Sequence, residues 1–113
     1  MITIYHNPRC GKSRECLAFL ENSDEAFEVI KYLEKPLTFN ELSTLIKKLN
    51  LKPIEVVRTK ESIWISNFKG KDLSDEQIVN AMVEYPILME RPIAVKGNKA
   101  VIARPFDKVK SIL

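Results

Sequence analysis

The chain is poor in the residues that many kinds of site are built from. Its 113 residues include one histidine, two cysteines and three glycines. They form neither a zinc-type cysteine/histidine cluster nor a P-loop, so no metal site and no nucleotide-phosphate loop is expected. The spacing C-x-x-C is missing too, because the fourth position of "CGKS" is Ser13. That excludes an ordinary dithiol oxidoreductase with its own nearby resolving cysteine. No apolar run approaches the roughly 18 residues that a membrane span requires. The first residues lack the basic and apolar regions of a secretory signal. Strong charge of either sign is also lacking. The net charge of +3 suits a small anionic ligand and falls well short of a nucleic-acid binder. Few thiols and no secretion signal together point to a reducing, cytoplasmic setting without nucleic-acid or membrane partners.

What remains is an ordinary globular balance, 45% hydrophobic and 29% charged, long enough for one domain spanning 1–113. "ITIY", residues 2 to 5, is β-branched and aromatic and reads as a buried strand. Asn7 and Pro8 mark a loop. "GKSRECLAFLEN" then has helical spacing, with Cys16, Leu17 and Leu20 on one side. "AFEVIKYL", residues 26 to 33, predicts a second strand. "TFNE" and "SDEQ" are capping boxes, each followed by apolar residues at helical spacing. A short helical piece is expected at "PIEVVR", whereas "SIWISNF" fits a helical turn or a loop. "PIAVKGNKAVIA", residues 92 to 103, predicts a hairpin turning at Gly97-Asn98 as type II′. Pro105 opens a short C-terminal helix. The order is β-α-β, a helical insertion at about 38–86, then β-β-α. That is an α/β chain with a mixed four-stranded sheet, as in thioredoxin-like folds.

Cys10 lies between the first strand and the first helix. A free thiol is mostly protonated at neutral pH, and a helix N-terminus lowers its pKa. The amides of Gly11, Lys12, Ser13 and Arg14 would be the unpaired first-turn donors, ready for an oxyanion beside the sulfur. Gly11 lets backbone come close to a ligand. Lys12 and Arg14 add positive charge, Ser13 adds a hydroxyl, and a turning loop could bring His6 near the sulfur. The alternative is a small residue in a capping region with a solvated loop histidine beside it. Cys16 falls mid-helix among leucines and reads as core. Six residues of helix rise about 9 Å and turn about 240°, whereas a disulfide needs Cα atoms closer than about 7 Å. A direct Cys10–Cys16 bond is therefore not expected.

Arg91 precedes Pro92 at the start of the hairpin, and Arg104 precedes Pro105 at its end. Antiparallel pairing places both at one end of the sheet. Guanidinium groups suit bidentate recognition of a tetrahedral oxyanion. Arg58 follows "EVV". Any one of the three could equally be a solvated surface arginine.

Four segments, "ITIYHNPRCGKSR", "VVRTKE", "PILMERPIAV" and "ARPFDKV", resemble in order the ArsC-type arsenate reductases, a thioredoxin-fold family coupled to glutathione and glutaredoxin. The resemblance covers nearly the whole chain. It implies that Cys10 attacks arsenate, that His6 favours the thiolate, and that Arg58, Arg91, Arg104, Gly11 and Ser13 bind the oxyanion. It further implies a cis bond at Arg91-Pro92. No bound cofactor is implied; glutathione is a co-substrate, glutaredoxin a partner, and phosphate a weak competitor of arsenate. The chain is shorter than the fuller-length reductases, which bears on tail contacts and not on the site. The Spx-like transcriptional regulators resemble this family and bind RNA polymerase instead. Their C-x-x-C switch is broken here by Ser13. A glutathione-dependent thiol oxidoreductase without arsenic specificity is a further alternative.

Overall fold

In the structure, a computed structural model describing residues 1–113, the polypeptide divides into two units. The first comprises Met1–Lys35 and Arg91–Leu113, the second Pro36–Glu90. The helical insertion expected at about 38–86 lies inside the second.

The first unit is built on a four-stranded mixed sheet. Strand β1 (Ile2–His6) alternates buried and half-buried residues, as a strand with one covered face must. It pairs in parallel with β2 (Phe27–Lys31), from Ile2↔Phe27 to His6↔Lys31. On its other side it pairs antiparallel with β3 (Ile93–Lys96), Tyr5 opposite Ile93. β3 turns into β4 (Lys99–Ile102), giving the order β2-β1-β3-β4. Gly97 has φ +62° and Asn98 has no positive φ, the pattern of the type II′ turn. Helix α1 (Gly11–Glu21) and a 3₁₀ segment at Phe106–Ile112 cover the same face of the sheet. Their Cys16, Leu20, Val109 and Ile112 form one core with Ile2, Ile4, Ala94 and Ala103. The C-terminal helix is thus 3₁₀ in form. β2 ends at Lys31, short of the expected residue 33. The amides of Glu34 and Lys35 bond back to the Lys31 carbonyl, and that turn takes Tyr32 and Leu33 out of the ladder.

The second unit is helical. In α2 (Phe39–Leu49), Thr38 Oγ1 accepts from the Glu41 amide at 3.2 Å, and Glu41 Oε1 accepts from the Thr38 amide at 2.9 Å. Leu42, Leu45, Ile46 and Leu49 are its buried stripe. Pro53–Val56 is a 3₁₀ turn. "SIWISN" is helix α3 (Ser62–Asn67), whose Trp64 ring stacks on Phe68 with centroids 5.3 Å apart. Helix α4 (Asp75–Glu84) starts on the Ser74 capping box and buries Ile78, Val79, Ala81 and Met82. Val57 and Met89 form an isolated antiparallel bridge. No helix is long and apolar enough to cross a membrane.

Candidate active site

β1 and α1 are joined by the loop Asn7-Pro8-Arg9-Cys10, and Asn7 is its knot. The Asn7 carbonyl accepts from the Cys10 amide at 3.0 Å, and its Oδ1 accepts from the Arg9 amide at 3.0 Å. The Asn7 amide donates to Ser13 Oγ at 3.0 Å. Asn7 is buried. Its contribution is legible only as an Asx turn before proline; the sequence marks the residue merely as a strand breaker. Arg14 closes the loop from the helix side, Nη1 donating to the Pro8 carbonyl at 3.1 Å.

Cys10 is the N-cap of α1, in extended conformation with φ −93° and ψ 123°. Its side chain makes no regular cap hydrogen bond, and the sulfur lies by the open first-turn amides of Lys12 and Ser13. It is half-buried. Burial works to raise its pKa and is the largest single influence. Against it act the Ser13 amide, the Arg91 side chain donating to the sulfur, the Lys12 amide and the Arg91 charge. Together these win, and the thiol lies below its ordinary value. The thiolate therefore rests on first-turn amides plus one guanidinium.

The sheet explains why Arg91 is there. β3 runs antiparallel to β1, so its beginning faces the carboxyl end of β1, where the Cys10 loop starts. Ile93 pairs with Ile102, and the Ala103 amide donates to the Pro92 carbonyl at 2.9 Å. Arg91 and Arg104 hence lie at one end of the sheet, as the hairpin predicts. Arg104 Nη1 donates to the Arg91 carbonyl at 3.3 Å. Arg91 is only 7% exposed, unusual for an arginine. Both Arg91-Pro92 and Arg104-Pro105 are cis; the sequence raises only the first.

Three other candidates are placed differently from their simplest reading. Ser13 is completely buried. Its hydroxyl meets His6 Nδ1 at 2.8 Å and accepts from the Asn7 amide, so its backbone amide is the group that faces the sulfur. His6 is the last residue of β1, not a solvated loop residue. Burial foremost, with the Lys31 charge and a smaller push from Arg14, holds its pKa below the usual imidazole value, while a hydrogen bond to the Ser13 backbone opposes them. A neutral His6 accepting at Nδ1 lets Ser13 donate to it while accepting from Asn7. His6 bears on Cys10 through Ser13. A Cβ on Gly11 would meet only the Arg14 side chain, at 3.8 Å, so the protein itself does not demand glycine there.

Arg58 belongs to the second unit. Its amide donates to the Leu88 carbonyl at 2.7 Å, and its Nε pairs with Glu61 at 3.2 Å. Cys16 is fully buried, and burial pushes its thiol up to about 11. It lies six residues along the helix from Cys10. No three His, Cys, Asp or Glu side chains are grouped so as to hold a metal ion.

The comparisons with known proteins converge. Residues 5–112 match the ArsC family. Over 99% of its length the chain is 42% identical to an arsenate reductase of Haemophilus influenzae, covering 98% of that protein. It is 40% identical to the arsenate reductase of Yersinia enterocolitica, of which it covers 80%. An arsenate reductase structure from Vibrio cholerae superposes with a TM-score of 0.94 at 44% identity, covering 99% of this chain and 97% of that one.

Proposed function

Because the chain belongs to the ArsC family, we propose that it reduces arsenate to arsenite through the single thiol of Cys10, drawing electrons from glutathione and glutaredoxin. The observation that carries this reading is the convergence on one sulfur of two first-turn amides and the buried Arg91. The same donors that favour a thiolate suit an incoming oxyanion.

The chemistry balances with one protein thiol. Cys10 Sγ attacks the arsenic; a sulfur–arsenic bond forms, an arsenic–oxygen bond breaks, and the oxygen leaves as water after taking up protons. Arg91, which acts on the Cys10 sulfur, and Arg104, at the same end of the sheet, offset the charge on the arsenate oxygens. Arg58 is carried to the same role by the "VVRTKE" resemblance alone. Gly11 enters only as the residue whose missing Cβ leaves the amides uncovered. Glutathione then supplies the second thiol. Two electrons pass to the arsenic as the two sulfurs join, leaving arsenite and a Cys10–glutathione mixed disulfide. Glutaredoxin reduces that disulfide. Cys16 takes no part, being buried and protonated at neutral pH. Phosphate, of similar shape and charge, competes weakly, and the cytoplasm supplies the reducing thiols.

The test is arsenite release from purified protein with arsenate, glutathione and glutaredoxin. Release should vanish in Cys10→Ser and persist in Cys16→Ser. No release from the wild type, with both donors shown active, would overturn the reading.

A further inference from the structure

A cleft of about 440 Å³ opens at the carboxyl ends of β1 and β2, with His6, Arg9, Lys31, Leu33 and Glu34 in its walls. Its volume falls within the range of small-molecule sites. Open α/β sheets take ligands outside the carboxyl ends of their strands, and β1 and β2, adjacent and parallel, end together at this cleft. The parallel register sets Lys31 beside His6. Arg9, in one wall, immediately precedes Cys10 in the chain. Two cations and one anion face the opening. Arg9, Lys31 and Glu34 are all exposed, and none forms an ion pair, whereas Lys12 pairs with Glu15 and Lys96 with Glu25. Leu33 adds an apolar surface, 38% exposed.

We propose that this cleft seats glutathione, its two carboxylates against Arg9 and Lys31, its ammonium against Glu34, and its cysteinyl sulfur turned to Cys10. The charges match in number and sign, and the tripeptide carries its thiol between its charged ends. The proposal rests on reading Cys10 as a thiol that glutathione resolves. Arsenate would then come to Cys10 from the β3 side of β1, where Arg91 and Arg104 lie, and glutathione from the β2 side.

The experiment omits arsenate, so it stands or falls apart from arsenate reduction. Cys10 thiolate attacks glutathione disulfide; a new sulfur–sulfur bond forms on Sγ, the old one breaks, and a glutathione thiolate leaves. The rate of mixed-disulfide formation is measured by mass spectrometry for the wild type and for Arg9→Gln/Lys31→Gln. Hydroxyethyl disulfide, which is uncharged, runs in parallel. Neither Arg9 nor Lys31 is among the groups that set the ionisation of Cys10. Any indirect effect of Lys31 through His6 would slow both disulfides alike. The double variant should lose about five- to tenfold on glutathione disulfide, the worth of two exposed charge contacts. It should lose less than about twofold on hydroxyethyl disulfide. Lys99→Gln/Lys108→Gln removes the same charge elsewhere in the unit and should leave both rates near wild type. An equal loss on both disulfides, no loss on either, or the same loss in the lysine control would overturn the proposal.

Discussion

Replacing Ser13 by alanine removes one oxygen atom and should disturb both the fold and the thiol. Ser13 is completely buried, and its hydroxyl serves His6 Nδ1 at 2.8 Å and the Asn7 amide at 3.0 Å. His6 and Asn7 are themselves 4% and 3% exposed, so water does not readily replace the lost oxygen. Each buried group left without its partner costs about 1–3 kcal/mol. Two such groups make the expected loss about 2–6 kcal/mol. In a domain near 100 residues, 1 kcal/mol moves Tm by about 4–8 °C. Differential scanning calorimetry should therefore show Tm falling by about 10 °C or more. The second readout is the pH profile of Cys10 alkylation by iodoacetamide. Among the groups that lower this pKa, the Ser13 amide acts most strongly. Once the hydroxyl no longer pins that turn, the profile should move to higher pH. A Tm within about 2 °C of wild type would refute the claim that the hydroxyl ties β1 to α1. A large fall in Tm with an unmoved alkylation profile would refute the claim that the tie also orients the amide.

Arg91→Ala should move the same alkylation profile to higher pH, because the guanidinium favours the thiolate by both a hydrogen bond and its charge; an unmoved profile would remove Arg91 from the thiol's environment. Since a depressed thiol pKa means that the unfolded chain binds more protons between the two values, Cys10 should add stability that grows with pH across that window and is lost as pH falls through the folded value. Cys16, fully buried with its thiol pushed up to about 11, should stay unmodified by iodoacetamide near pH 8 until urea unfolds the chain, and mass spectrometry should find a single adduct on the native protein. His6, held below the usual imidazole range, binds fewer protons folded than unfolded. Stability should therefore decline as pH falls below about 6.5, and His6→Gln should flatten that slope in urea titrations at successive pH values. Gly97→Val forces a branched side chain to φ +62° and should cost about 1–2 kcal/mol in urea unfolding.

Much of the fold follows from local chemistry that can be read residue by residue. Thr38 and Ser74 start helices because each has its N3 partner, Glu41 or Gln77, within reach in the chain. The hairpin follows from alternation around Gly97-Asn98. The parts that escape such reading depend on partners distant in sequence or on burial. "SIWISN" lacks a side-chain cap and exposes Ile65; its helix is accompanied by a ring cluster of Trp64, Phe68 and Tyr85. Tyr32 looks like strand yet sits fully buried in a turn. In the site, Cys10, Arg91 and Arg104 are visible from motif order and hairpin geometry. The partner of Ser13 is not, because a contact between residues 6 and 13 depends on the angle at which β1 hands over to α1. That Arg91 is buried also runs against the ordinary preference of arginine, and the convergence of β3 on the Cys10 loop is what brings it there.

That convergence is a matter of register. Arg91 reaches the sulfur because Tyr5 pairs with Ile93, which sets the start of β3 level with the carboxyl end of β1. A slip of one residue between these strands would carry Arg91 about 3.4 Å along the sheet and turn Ile4 and Ala94 out of a core in which both are fully buried. The cost of exposing that face holds the register, and the register holds the guanidinium. The amides of Lys12 and Ser13 are fixed separately, by the Asn7 knot and the Ser13–His6 bond. The thiolate thus has two independent supports, one anchored in the hydrophobic core and one in a buried polar chain. Losing either should raise the thiol pKa without abolishing the other's contribution.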